Sequence, residues 1–244
     1  MNILAIDTAT AVLSVAVSAG ERGFRYFEAA AGNRHSELLP EIIDYVIKNA
    51  GLCPADLEVA ACMRGPGSFT GLRIGFASVK GMALALGIPM VSAPTLDCMA
   101  FPLSFWPGIV IPLIDAKQHR YFTALYRGGE RISDYLDAET GDIILRLERV
   151  RAAEAGAADP PVLLSGPDAP MLLPGLISRF GEGAVVLDPA HAGGKARELL
   201  AISAKYSILN KGDAPGSGPL YLRKSDAELV YENTDRKYRF KNDL

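Results

Sequence analysis

Cysteine is scarce in this sequence. Cys53, Cys62 and Cys98 are scattered through 244 residues without a paired spacing. No disulfide framework is implied, and so few thiols suit a reducing compartment. Histidine is as sparse, with His35, His119 and His191 each isolated. No His-x3-His or His-Glu-x2-His spacing exists, which leaves a metallopeptidase without its ligands. A large basic surface is missing too. Lys and Arg number 25 against 28 Asp and Glu, a formal net charge of -3, so charge gives autonomous RNA binding no support. No uninterrupted apolar run approaches the roughly 18 residues of a membrane span. The stretch Met1 to Asp7 has neither the charged region nor the apolar run of a signal peptide. The expectation is a cytoplasmic protein with no membrane attachment.

What is present is a chain able to bury a full core, 49% hydrophobic and 22% charged. Its length allows one large domain or two lobes. One stretch organises the rest, from Met63 through Arg-Gly-Pro-Gly-Ser-Phe-Thr-Gly to Gly87. Val59 to Met63 reads as a short buried strand. Gly65, Pro66 and Gly67 break it, and Ser68 or Thr70 can cap a helix. That helix carries an apolar stripe of Leu72, Phe76, Val79, Ala83 and Leu86 and a small-residue stripe of Gly71, Gly75, Ser78 and Ala85. Glycine inside a helix costs about 1 kcal/mol against alanine. Gly71, Gly75 and Gly81 therefore imply that another helix or sheet approaches closely. The turn at Gly67 and Ser68 offers backbone amides to an anion, although a tight strand-to-helix turn is the commoner use of such residues. Leu72 and Arg73 follow Gly71 where a phosphate loop needs Lys and Ser/Thr. Thr70 stands where a Gly-x-Ser-x-Gly elbow needs glycine.

Taken in order, Asn2 to Ile6, Val12 to Ser18 and Phe24 to Ala30 form an antiparallel meander. An amphipathic helix follows. Leu38, Ile42 and Val46 lie on one line and Leu39, Ile43 and Ile47 on the next, with Pro40 expected in or near the first turn. After the glycine helix come a strand at Ile88 to Ser92 and a short helix from Thr95 or Asp97 to Ala100. Pro102, Pro107 and Gly108 mark a boundary, dividing the chain into lobes 1–107 and 108–244. The second lobe opens with Ile109 to Ile114, Arg120 to Tyr126 and a third strand within Arg131 to Leu136. Both lobes thus begin strand, acidic turn, strand, a weak internal repeat. A helix at Ile143 to Ala155, a strand at Val162 to Gly166, a helix at Met171 to Phe180, a short strand at Val185 to Leu187 and a helix at Ala196 to Asn210 complete it. The basic, aromatic run Arg236 to Lys241 reads as a solvated tail.

Asp7, followed by Thr8, ends the first strand, and Asp115 holds the similar place in the second lobe. Acids so placed can organise a metal–phosphate group, or they can cap their own turns. Lys117, Gln118 and Arg120 could bind an anion or form a polar hairpin tip, and the tip is the simpler reading.

The motifs Ile3-Leu-Ala-Ile-Asp-Thr-Ala-Thr10, His35-Ser-Glu-Leu-Leu-Pro40, Arg64-Gly-Pro-Gly-Ser-Phe-Thr-Gly-Leu-Arg-Ile-Gly75 and Pro219-Leu-Tyr-Leu-Arg223 resemble those of the TsaB (YeaZ) family, over nearly the whole chain. The resemblance implies an α/β protein of two related lobes, the actin/sugar-kinase/Hsp70-type (ASKHA) fold, with mixed sheets flanked by helices. It implies a part in making N6-threonylcarbamoyladenosine at position 37 of tRNA. There TsaD transfers a threonylcarbamoyl group from its adenylate, the ATPase TsaE joins the assembly, and ATP is used by the whole. TsaB is then a non-catalytic scaffold without a catalytic residue, metal or firmly bound cofactor, and is no glycoprotease. Thr95 and Met99 stand where TsaD carries its His-x3-His metal pair, and neither suits a hard or borderline metal.

The resemblance also implies that the first two helices pair with TsaD, or with a second copy to give a dimer. Leu39, Ile43 and Ile47, or their adjacent line, with Leu72, Phe76 and Val79 are the residues expected at that contact. Asp7, Thr8, Gly67, Ser68 and Asp115 are those expected at any anion or nucleotide. The alternative is an independent nucleotide-dependent enzyme of the same fold using Asp7 and Asp115, with Gly193-Gly194-Lys195 a faint candidate for adenosine.

Overall fold

The computed structural model describes residues 1–153, 159–208, 212–214 and 216–223. The basic run at 236–241 lies outside them. Short apolar segments separated by glycine and polar turns become strands because alternate side chains can be buried on two faces. The first five are β1 (Ile3–Asp7), β2 (Val12–Ser18), β3 (Phe24–Ala30), β4 (Val59–Gly65) and β5 (Met90–Pro94), in the order β3-β2-β1-β4-β5. β1, β2 and β3 pair antiparallel, while β4 lies parallel to β1 and to β5. α1 (His35–Asn49) and α2 (Phe69–Leu86) return the chain between parallel strands.

The second sheet repeats this plan. Its strands β6 (Ile109–Lys117), β7 (Arg120–Thr123), β10 (Leu136–Glu139), β11 (Val162–Ser165) and β12 (Val185–Leu187) run in the order β10-β7-β6-β11-β12. Again the first three pair antiparallel and the last two join in parallel. The small hairpin β8 (Tyr126–Arg127) and β9 (Glu130–Arg131) hangs from β6. α4 (Thr140–Ala152) and α5 (Ala169–Phe180) are the crossovers. The repeat extends to the turns: β4 runs into Gly65-Pro66 and β11 into Gly166-Pro167, with φ of +107° at Gly65 and +90° at Gly166.

The period of two divides each sheet between two helix layers. Leu4 and Ile6 of β1 join the α1–α2 core, whereas Ile3 and Ala5 face α6 (Ala196–Ile208). Ile109, Ile111 and Leu113 of β6 face α4 and α5, whereas Val110 and Ile114 meet α3 (Thr95–Ala100). α6 follows the second sheet in the chain yet packs on the first, and α3 packs on β6 and against α6. A polar lock holds α3 to the second lobe, where the Tyr126 and Tyr135 hydroxyls donate to Asp97 Oδ1 at 2.5 and 2.8 Å.

Three local expectations shift. The third strand of the second sheet is Leu136–Glu139, because Leu125 N donates to Ser133 Oγ and the 130–131 segment pairs within its own hairpin. β5 begins at Met90 rather than Ile88, after Pro89, whose carbonyl accepts from Ala60 N. Pro40 falls in the second turn of α1 on its exposed side, where the N–H it lacks would have served the exposed Ser36.

Candidate functional site

The glycines of α2 are explained by the turn that follows β1. Ser68 is the N-cap, its Oγ accepting from Gly71 N at 3.2 Å. Ser68 N donates to Ala9 O at 2.8 Å, and Thr8 Oγ1 donates to Gly71 O at 2.7 Å. A Cβ at Gly67 would lie 2.4 Å from Ala9 O, one at Gly71 would lie 2.1 Å from Thr8 O, and one at Gly75 would lie 2.5 Å from Thr8 Oγ1. No side chain fits there. The close approach demanded by Gly71 and Gly75 is therefore the chain's own turn, and the amides of Ser68 and Gly71 are already engaged. Gly81 differs. It is exposed, and a Cβ there would meet nothing within 4 Å.

Asp7 is 1% exposed, and both carboxylate oxygens are occupied. Oδ1 accepts from Ala9 N and Oδ2 from Lys195 N, each at 2.9 Å. Burial raises its pKa above the usual carboxylate value, against the pull of these two bonds and of Lys195. The Lys195 segment is the entry to α6. Ala196 N donates to Ser14 Oγ at 3.1 Å, Gly194 N donates to Glu28 Oε2 at 3.0 Å, and a Cβ at Gly194 would lie 2.4 Å from Ser14 Oγ. Asp7 thus ties the end of β1 to the start of α6. The Gly193-Gly194-Lys195 run is docked on β2 and β3 and is not an open nucleotide loop.

Asp115 is placed differently, its side chain 25% exposed. It accepts from Lys117 N and Lys117 Nζ at 2.7 Å, while its own N–H donates to Asp168 Oδ2 at 2.7 Å. Burial pushes its pKa up, but the hydrogen bonds and charge of Lys117 outweigh this and hold it below the usual value. Lys117, Gln118 and His119 all take left-handed backbone, with φ of 64°, 57° and 59°, so the segment is a tight hairpin tip. Asp115 therefore serves its own hairpin tip, whereas Asp7 holds its own turn and also the segment entering α6. Two open hollows of about 250 and 360 Å³ flank α4 beside Arg146 and Arg149, and neither is lined by Asp7, Asp115 or the α2 turn.

The helix residues expected to meet a partner mostly face inward. Leu39 and Ile47 are 2% exposed, and Leu72, Phe76 and Val79 are 1%, 5% and 0%. All five lie within their own lobe's cores, and only Ile43 is half-buried. α2 is apolar around most of its circumference, so periodicity alone does not choose its inner face. By length and composition α2 could cross a membrane, yet it lies along β4. Its outward side carries Ala77, Lys80, Gly81, Leu84 and Ala85, with Ile74, Ser78 and Met82 half-buried at the rim. Leu84 is 85% exposed.

Among the described residues no three His, Cys, Asp or Glu are grouped to hold a metal ion. Thr95 and Met99 lie within α3 at 0% and 1% exposure. One arrangement was not foreseen. The Pro219–Arg223 motif meets the α2 turn: Leu220 N donates to Arg64 O at 2.7 Å, and Tyr221 stacks on Phe69 with ring centroids 4.7 Å apart. The signal available was only that both segments were motifs of one resemblance.

The model of the family described as "TsaD: tRNA N6-adenosine threonylcarbamoyltransferase" matches residues 28–168. The chain is 25% identical over 232 residues, 95% of its length and 98% of the relative's, to the tRNA threonylcarbamoyladenosine biosynthesis protein TsaB of Bacillus subtilis. It is 36% identical over 132 residues to TsaB of Escherichia coli, 53% of this chain and 57% of that protein. Among solved structures, a Pseudomonas aeruginosa protein described as similar to peptidase YEAZ superposes with a TM-score of 0.73 at 26% identity, covering 91% of this chain and 99% of that one. Component A of (R)-2-hydroxyglutaryl-CoA dehydratase from Acidaminococcus fermentans shares the fold, at a TM-score of 0.51 and 14% identity over 85% of this chain and 99% of that one. The two lobes repeat one mixed-sheet plan flanked by helices.

Proposed function

The chain belongs to the TsaB (YeaZ) family, and on that premise we propose that it is a non-catalytic scaffold subunit of the assembly that makes N6-threonylcarbamoyladenosine at position 37 of tRNA. Its direct partner is TsaD, held through α1 and α2. A second copy uses the same face when TsaD is absent, giving a dimer. TsaE and tRNA engage the assembled complex, which uses ATP, and the setting is the cytoplasm.

The observation that carries the contact is Gly81. Gly71 and Gly75 are accounted for by Thr8, but an exposed glycine in mid-helix costs about 1 kcal/mol against alanine, and nothing in the monomer requires it. A helix from a partner, crossing at Gly81 between Ala77, Ala85 and Met82, supplies the reason. Ile43 of α1 and Ile74 extend that face. An independent nucleotide-dependent enzyme is the weaker reading, since both oxygens of Asp7 are occupied.

The test is reconstitution of the modification. TsaD from the same organism, with TsaE, threonylcarbamoyl-adenylate, ATP and a tRNA transcript, is assayed for the modified nucleoside with and without this chain. The reading expects product only when this chain is added and none from this chain without TsaD. Product formation unaffected by the chain contradicts it.

A further inference from the structure

The N-terminal end of α2 carries a second surface, where the Pro219–Arg223 segment meets it. Arg73 Cζ lies 3.9 Å above the Phe69 ring, and Arg73 Nε donates to the Tyr221 hydroxyl at 3.2 Å. Tyr221 is 39% exposed and Phe69 half-buried. Arg64, exposed at the end of β4, holds the strap through its carbonyl, and Arg223 lies two residues past Tyr221. Among the described residues no carboxylate pairs with Arg64, Arg73 or Arg223. In a chain of net charge -3, the Arg73 guanidinium held on the Phe69–Tyr221 ring pair, with Arg64 and Arg223 close in sequence to those rings, is a local exception.

A guanidinium fixed on a ring keeps its outer N–H groups in place for phosphate oxygens, and an exposed phenol ring offers a face to a base. Arg64, Arg73 and Tyr221 are all exposed, which fits a nucleic-acid strand lying across the surface better than an enclosed mononucleotide. We propose that Arg64, Arg73, Phe69 and Tyr221 form a contact for RNA, with phosphates on the arginines and a base against Tyr221. The choice of RNA rests on the tRNA-modification reading above.

The test titrates the full chain alone with a fluorescent oligouridylate of about twelve nucleotides, at several salt concentrations. Wild type is compared with Arg64→Glu/Arg73→Glu, with the milder Arg73→Gln, and with Tyr221→Ala, each checked for an unchanged melting profile. The proposal expects weak, salt-sensitive binding. The double variant loses at least about tenfold in affinity and flattens the salt dependence by one to two phosphates' worth, and Tyr221→Ala loses about fivefold or more. No binding by wild type overturns it, as does equal binding by all variants. Displacement of the RNA by ATP at equal phosphate concentration also overturns it, in favour of a nucleotide site. TsaD plays no part in this titration, so its failure leaves the scaffold reading to stand or fall on the reconstitution.

Discussion

The two lobes share a strand order, a Gly-Pro turn and an acid near the end of the first strand, yet they use these parts in opposite ways. In the first lobe Asp7 is sealed between β1 and α6, and the turn behind it is pressed into a groove of glycines on α2. In the second, Asp115 stays near the surface, paired with the lysine of its own hairpin tip. Gly175 of α5 would place a Cβ 3.4 Å from Thr140 Cγ2, an ordinary contact. The duplicated plan therefore fixes where an acid falls, while helix packing decides whether it is open to a ligand. The sealed version leaves the first lobe's helices to act through their outer faces.

Substitution sharpens this contrast most at the glycines. Gly71→Ala forces a methyl against the Thr8 carbonyl and should destabilise the chain by roughly 3 kcal/mol, whereas Gly175→Ala should be neutral or stabilise by up to about 1 kcal/mol. Urea midpoints of the two variants measure both. The acids come next. Asp7→Ala strands the buried amides of Ala9 and Lys195 and should cost about 2 kcal/mol, against less than about 1 kcal/mol for Asp115→Ala.

Their pH dependence should carry opposite signs. The folded-state pKa of Asp7 is raised, so its contribution is fullest below about pH 4, the unfolded carboxylate range, and declines as pH rises through the folded value. Asp115 has a lowered pKa, so its contribution persists at neutral pH and is lost as pH falls below that range through its own folded value. Stability of wild type minus each variant, followed from pH 7 downward, should rise for Asp7 and fall for Asp115. Parallel curves would erase the distinction between the lobes. A small effect on the monomer is expected for Gly81→Ala too, which should stabilise the free chain by up to about 1 kcal/mol. The same methyl should weaken association if a partner helix crosses there.

Much of the architecture was legible because short apolar runs bounded by Gly and Pro have few other uses. The meander, α1, α2 and the repeat at Ile109 followed from alternation and turn residues. The placement of α6 on the first sheet was not legible, because its apolar stripe fits either sheet and no local pattern names its partner. Gly71 and Gly75 do mark a close approach, but of the turn at Thr8 rather than of the helix or sheet that the small-residue stripe suggests, and Ala85 of that stripe is exposed. The sequence could not separate Gly71 and Gly75, which meet Thr8, from Gly81, which meets nothing within the chain. Leu39, Ile47, Leu72, Phe76 and Val79 were chosen for a partner because they are apolar, and for the same reason they fill their own lobe's core. Outward residues such as Ala77 and Gly81 are small and carry little hydrophobic signal.

The most direct measurement is sedimentation of this chain with TsaD from the same organism, beside Gly81→Arg, whose side chain points to open solvent in the monomer. The account predicts a heavier one-to-one complex for wild type at micromolar concentration, lost in the variant while its melting profile is kept. No complex for wild type, or one that tolerates arginine at position 81, would contradict the claim that this chain works by holding a partner on the outer face of α2.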